Sequence, residues 1–464
     1  MTLNRSSDAF TVALSMLFAL LMIWPMFGTI ALRNILLGGL LLISLWLVSV
    51  GHEPWRNQLP KVPALLLTGL TAWLVLVIVG WAADPTQAWK ELLGQWVVPY
   101  LCAFVGTVLG ITALNHGKAL VVIRIVFAVL LIQVVAHDLL NFWFYATQGQ
   151  LAFRAAPVLR LAEAAQVAFT GGTPINLFEP GLMDKFSYVN NTLAAFLIAE
   201  IAQRLIRKSR CLPYGNGLIA FATIAMLFCS YTVQTRNGNV GLLMLIATAG
   251  LLVCLKSFAR IGWTKLILGL GVVAVLLALL GGMFYKSDPR WQTLRETLPI
   301  AWDTQTHKAW MTHEDFPLLP NGAQVDVSNY ERLAWAKEGA ILMQEHPLGI
   351  GYSRTAFGDQ IDRKYGLGGV FRGSHSHSGL IDFGIANGFP GLVLWLVFLA
   401  SLAWTGWHAF EGEQMALGLM LIFLVSGFFG RSIVDSNLRD HMLQQFLMIV
   451  AILTVFVQQR ARML

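Results

Sequence analysis

Charge is the scarcest property of this chain. Only 12% of its 464 residues are Asp, Glu, Lys or Arg, whereas 56% are hydrophobic and the mean hydropathy is +0.64. A soluble domain carries about one quarter charged residues, so the shortage excludes an ordinary soluble protein and predicts a polytopic membrane protein. Cysteine is also rare. Cys102, Cys211, Cys229 and Cys254 lie in or beside apolar runs without a Cys-x-x-Cys pair, which reads as small apolar residues, with neither a disulfide framework nor a metal site indicated. No small-residue cleavage pattern follows the first apolar run, which is therefore read as a span and not as a removable signal. No internal repeat is visible. The net charge of +7 does not indicate a nucleic-acid partner, because the basic residues sit mostly in short loops at span ends, where they set topology.

What is present is apolar sequence in lengths that cross a bilayer, for which a helix needs about 20 residues. Twelve candidate spans are expected: Phe10–Leu32, Ile35–Val50, Pro63–Trp81, Trp96–Leu114, Ala119–Phe142, Phe186–Leu205, Leu218–Val233, Val240–Leu255, Lys265–Phe284, Gly379–Trp404, Gln414–Phe429 and Met442–Val457. The fold class is thus all-α, with residues 1–284 forming nine spans, 285–378 a large loop, and 379–464 three more spans. Lys and Arg set the orientation. One side collects clusters such as Arg204, Arg207, Lys208 and Arg210, whereas the short loops of the other hold Arg33, Lys90, Arg236, Arg431 and Arg439. This bias puts both termini in the cytoplasm and both long loops outside, on the periplasmic face of a Gram-negative cell.

The first long loop, Tyr145–Lys185, carries Arg154 and Arg160 in apolar surroundings and reads as an interfacial helix, either simply snorkelling or touching a lipid-linked substrate at the rim. In the second loop, Tyr285–Ala323 is polar and poorly periodic. Ser328-Asn-Tyr-Glu331 then matches a capping box opening a helix from Asn329 to about Glu345, with Leu333, Ala336, Ala340 and Met343 near one stripe. Pro347, Gly349 and Gly351 stop it. Arg332 in its first turn is opposed by the helix dipole, so it is either paired with a carboxylate or kept for a ligand. A glycine-rich approach leads to Ser374-His375-Ser376-His377-Ser378. Residues two apart do not share a face in regular backbone, so both imidazoles cannot simply face one site, and Ser374 or Ser376 is placed to cap the next helix. The histidines read as a general base, as interfacial residues without chemistry, or as zinc ligands; the nearby Asp382, His346 and His313 show no ligand spacing. Arg236, in the turn Thr235-Arg-Asn-Gly238, either snorkels or contacts a phosphate at the membrane surface.

Three motifs together resemble the O-antigen ligase and polymerase superfamily: Gln234-Thr-Arg236-Asn-Gly between two spans, Glu331-Arg332-Leu-Ala-Trp-Ala through His346-Pro-Leu-Gly-Ile-Gly351, and His377-Ser-Gly-Leu-Ile-Asp-Phe-Gly through Gly391. Two positions depart from the pattern. Gly379 stands where an aromatic residue usually follows the histidine, and Ala386 where an acidic residue is common, with Asp382 a turn earlier.

The resemblance implies a GT-C-like glycosyltransferase of the inner membrane that takes a glycan from undecaprenyl diphosphate. In the ligase branch the acceptor is a sugar hydroxyl of lipid A-core. It also implies His377 as base with His375 in support, Arg236 and Arg332 on the diphosphate, and inversion at the sugar carbon. No cofactor and no metal are expected, because the chain has no Asp-x-Asp and arginines can take over the electrostatic task of a divalent ion. A polymerase or a protein O-oligosaccharyltransferase would share the donor. A transporter or flippase is the rival class, with His137, Asp138 and Glu200 near span ends as its residues.

Overall fold

The computed structural model describes residues 2–26, 28–50, 55–148, 182–233, 235–287, 293–410 and 415–460. The bulk of the expected interfacial loop, including Arg154 and Arg160, lies outside the described residues. Among them the secondary structure is helical, apart from an isolated antiparallel bridge between Leu318 and Gln324. The helices are α1 (Thr2–Ile23), α2 (Ile30–Val50), α3 (Lys61–Trp81), α4 (Pro85–Asn115), α5 (Ala119–Gln148), α6 (Leu182–Arg207), α7 (Asn216–Val233), α8 (Arg236–Ser287), α9 (Leu294–Trp302), α10 (Val327–Glu345), α11 (Ala356–Tyr365), α12 (Gly379–Ala409), α13 (Met415–Val434) and α14 (Asp440–Arg460).

Eight of these are long and apolar enough to cross a membrane among the described residues: α1 to α5 and α12 to α14. The chain is a multi-pass membrane protein. Two of the twelve expected spans, Val240–Leu255 and Lys265–Phe284, are run together in α8, whose 52 residues contain no intervening loop. A straight helix of that length would reach about 78 Å, more than twice the hydrocarbon thickness. Helix α4 starts well before the expected Trp96, at Pro85, and passes through a π-helical turn at Leu92–Val97.

Small residues set the closest contacts of the bundle. Gly106 and Gly110 of α4 face α14: a Cβ on Gly106 would lie 2.5 Å from the Met448 carbonyl oxygen, and one on Gly110 would lie 3.1 Å from Val455 Cβ. This is the small-xxx-small spacing that lets membrane helices approach through backbone contact. Gly406 and Gly418 do the same for α12 and α13.

The region between α8 and α12 has its own apolar core, built from Trp310, Tyr330, Trp335, Leu342, Phe357 and Phe371. The stretch with no expected structure contains α9, the single turn Ala309–Thr312 and the bridge. Its apolar residues are scattered and meet only in three dimensions. Helix α10 starts two residues earlier than the capping box implied. Asp326 is the cap, its carboxylate accepting from Asn329 N at 2.8 Å, while Ser328 and Glu331 turn to other partners. The buried face is Tyr330, Ala334, Trp335 and Leu342, rotated from the expected stripe, and Ala340 is exposed.

This outer region is fastened to the bundle at a break in α12. Gly388 has φ +69° and ψ 179°, a conformation open essentially to glycine. The turn Pro347–Gly351 fills the break. Phe389 N donates to Pro347 O at 2.8 Å, and Ile350 N and Gly351 N donate to Ala386 O at 3.1 and 3.0 Å. Trp73 of α3 adds an indole hydrogen bond to Asn387 O at 2.8 Å. The broken helix thus finds partners for its freed backbone groups in protein.

Candidate functional site

The site forms where the loop 374–378 enters α12. Ser378 is the helix cap, its hydroxyl accepting from Ile381 N at 3.5 Å, so neither Ser374 nor Ser376 has that role. Ser376 closes a local turn, its hydroxyl donating to Ser378 O at 3.0 Å. His377 takes the left-handed conformation, φ +57°. That dihedral overturns the expectation that the two histidines point apart, because it folds the chain back and brings the imidazoles together. Their centroids are 4.3 Å apart with the rings nearly perpendicular, at 78°. A left-handed non-glycine residue is uncommon and costs about 1–3 kcal/mol. Here the ring stacks on Trp335 at 5.5 Å and 8°, and Trp335 is itself fixed by an indole hydrogen bond to Trp310 O at 3.0 Å.

Behind His375 lies a polar relay that motif reading did not find. Ser436, between α13 and α14, donates to Asp382 Oδ2 at 2.7 Å, and its hydroxyl oxygen lies 3.3 Å from His375 Nδ1. Asp382 Oδ1 accepts from Ser376 N at 2.9 Å, and His377 N donates to His375 Nδ1 at 3.3 Å. Asp382, noted in the sequence only as a displaced acid, is therefore the anchor of the histidine loop. Ser436 carried no sequence signal, since it lies 54 residues away from Asp382. The unusual Gly379 is explained here too. Its N–H donates to Asp435 O at 2.8 Å, and a Cβ would meet Asn437, Leu438 and Asp435 at 3.1–3.2 Å, leaving no room for an aromatic ring.

The arginines approach from two other elements. Arg236, at the start of α8, donates Nη1 to Asn329 Oδ1 and Nη2 to Ser328 Oγ, the latter at 2.6 Å. The α7–α8 turn is thereby tied to the first turn of α10. Arg332, one turn further along α10, reaches Val434 O at 3.5 Å. Both are half-buried. Burial, His375, Arg332, Arg439 and Arg236 together depress the His377 imidazole to about 3. Burial and Arg439, partly countered by Asp435, lower that of His375 to about 4. Both rings are therefore neutral near pH 7 and open to accept a proton. His313 pairs with Glu331 at 2.8 Å, and no group of three metal-type ligands among the described residues includes His375 or His377.

Beside Asp382 and Ser436 opens a small pocket of about 30 Å³, also lined by Tyr352, Arg354, Asn387 and Arg439. A polar cleft of about 420 Å³ shares Tyr352 and Ser353 with it and is lined by Gln87, Asp359, Arg363 and Arg372. Arg354 stands near the junction, 3.4 Å from Glu91 of α4.

Residues 221–396 match the family model described as O-Antigen ligase. Over these residues, fewer than half of the chain, the sequence is similar to the O-antigen ligase/polymerase superfamily. The match takes in the Arg236 turn, Arg332, both histidines and the broken start of α12, the parts that meet around the site. No curated protein matches the chain.

Proposed function

We propose that this protein is an O-antigen ligase of GT-C-like architecture. It transfers a polysaccharide from undecaprenyl diphosphate to a sugar hydroxyl of lipid A-core on the periplasmic face of the inner membrane. The observation that carries the reading is the pairing of two half-buried imidazoles at the start of α12, with Arg236 and Arg332 near enough to act on His377.

The chemistry follows from the groups. A sugar hydroxyl is a weak nucleophile until its proton is taken, a step in which a positioned base contributes roughly 10²–10⁴-fold. His377 accepts that proton. The acceptor oxygen bonds to the anomeric carbon as the bond to the diphosphate oxygen breaks. The diphosphate leaves with the electron pair, and direct displacement inverts the carbon. Arg236 and Arg332 bind the leaving group, on which charge grows toward the transition state, with planar forks of donors. His375, held by Ser436 and Asp382, positions the His377 loop. The Asp382 carboxylate is committed to Ser376 and Ser436, which leaves the electrostatic work to arginine and makes the transfer metal-independent in this reading.

A polymerase or a protein O-oligosaccharyltransferase would use the same donor site, and the acceptor separates them. Purified protein in detergent, given lipid-linked donor, is expected to glycosylate purified lipid A-core. Transfer only to a second lipid-linked glycan or to a protein hydroxyl would reassign it, and no chemical turnover would favour a flippase.

A further inference from the structure

A second cluster of ligand-type side chains lies within the bundle and has no part in glycosyl transfer. His137 and Asp138 on α5 face Cys229 on α7, and all three are buried, with 2%, 7% and 0% exposure. His137 Nδ1 lies 3.6 Å from Asp138 Oδ1 and 3.6 Å from Cys229 Sγ. One ligand atom from each residue falls within 4.8 Å of the others. Both Asp138 oxygens are buried without a hydrogen-bond partner.

A thiol–imidazole contact would account for Cys229 and His137, but it leaves this carboxylate unexplained. An ionised carboxylate without donors in an apolar interior is strongly disfavoured, and 3.6 Å is beyond hydrogen-bond length to the imidazole. The two distances from His137 have another reading, and the third edge, from Asp138 to Cys229, closes within 4.8 Å. Around a tetrahedral ion with bonds of about 2.0–2.1 Å to N and O and about 2.3 Å to S, neighbouring ligand atoms stand roughly 3.4–3.6 Å apart. Thiolate, imidazole and carboxylate are the ligand set of a borderline-soft divalent ion. The two anionic ligands would also cancel its charge inside the bundle.

We propose that His137, Asp138 and Cys229 supply three ligands of a buried site for a zinc-class divalent transition-metal ion that ties α5 to α7. Binding releases the thiol proton, and any carboxyl proton, to solvent. The ring of Phe186 on α6 lies against that of His137, tilted by 40° with centroids 4.7 Å apart, so the ion would hold a three-helix corner. Cys229 lies one turn before the end of α7 at Val233, so the tie would fix the helix that leads into the Arg236 turn.

The test uses untagged full-length protein purified in detergent, with its zinc measured by inductively coupled plasma mass spectrometry. About one equivalent per chain is expected to survive dialysis. Metal-stripped protein should take up Co²⁺ with visible d–d bands and a near-ultraviolet thiolate charge-transfer band. Asp138→Asn and Cys229→Ser should lose at least about tenfold in affinity, whereas Cys211→Ser, which removes a thiol outside the cluster, should bind like wild type. Wild-type protein that takes up no Co²⁺, or binds it without the thiolate band, overturns the site whatever the variants do. So does Cys229→Ser protein that binds as tightly as wild type.

Discussion

At the residue scale the site distinguishes charge from shape. Arg236 and Arg332 each offer a planar fork, whereas lysine keeps the charge and loses the bidentate fit. Removing one preorganised donor to a developing anion costs roughly 10²–10³ in kcat. Arg332→Ala and Arg236→Ala are expected in that range, with the lysine variants between them and wild type. Steady-state kinetics with purified donor measure this, and lysine variants with wild-type kcat would reduce both residues to surface snorkelling. The histidines separate by environment. His377 stacks on Trp335 and feels both arginines, so His377→Ala should remove transfer, while His375→Ala should weaken it. Burial first, then His375 and the arginines, keep His377 neutral down to about 3, so kcat/KM should hold constant from pH 7 to about 5. Bound diphosphate offsets the arginines and favours the protonated ring, which raises its pKa, so the acid limb of kcat should lie at higher pH than that of kcat/KM. A kcat/KM limb near 6.5 would point to a different, solvent-exposed base. Ser436→Ala deletes the bridge between Asp382 and His375. One lost hydrogen bond of ~1–1.5 kcal/mol corresponds to about tenfold in kcat, with KM for the donor unchanged.

At the scale of elements, the break in α12 is the joint between the outer region and the bundle. A side chain at Gly388 would stand 2.3 Å from the Leu348 carbonyl carbon and would also be forced into a glycine-only conformation. The dihedral alone costs about 1–3 kcal/mol. Gly388→Ala should therefore lower the thermal midpoint in detergent and displace the Pro347–Gly351 turn, measured by scanning fluorimetry and limited proteolysis of the outer region. An unchanged midpoint and digestion pattern would mean that the turn does not depend on this backbone. The left-handed His377 and the positive φ of Gly388 act alike: single dihedrals steer the two ends of the twelve-residue stretch from His377 to Gly388 that carries Asp382.

For the molecule as a whole, the arginine reading requires no hard divalent ion at the outer face. EDTA in the transfer assay is expected to leave the initial rate unchanged, and rescue of a lost rate by Mg²⁺ or Mn²⁺ would overturn the clamp. An ion between α5 and α7 is buried and structural, so rescue by zinc alone would bear on stability. The sequence by itself determined the membrane class, the places of most apolar helices but not their ends, and the motifs that hold Arg236, Arg332, His375 and His377, because burial in lipid imposes long apolar runs and motifs are contiguous. It did not determine that the imidazoles meet, since that turns on one left-handed dihedral at His377. It did not show Ser436 behind His375, Asp326 in place of Ser328 as the cap, or His137 beside Cys229, since each pairing depends on which side chains packing brings within reach. Two expected spans merged in α8 for a related reason: hydropathy records where a helix is apolar, while the backbone between apolar stretches is free to remain helical. Periodicity counts neighbours along the chain, and only the tertiary structure decided the neighbours across it.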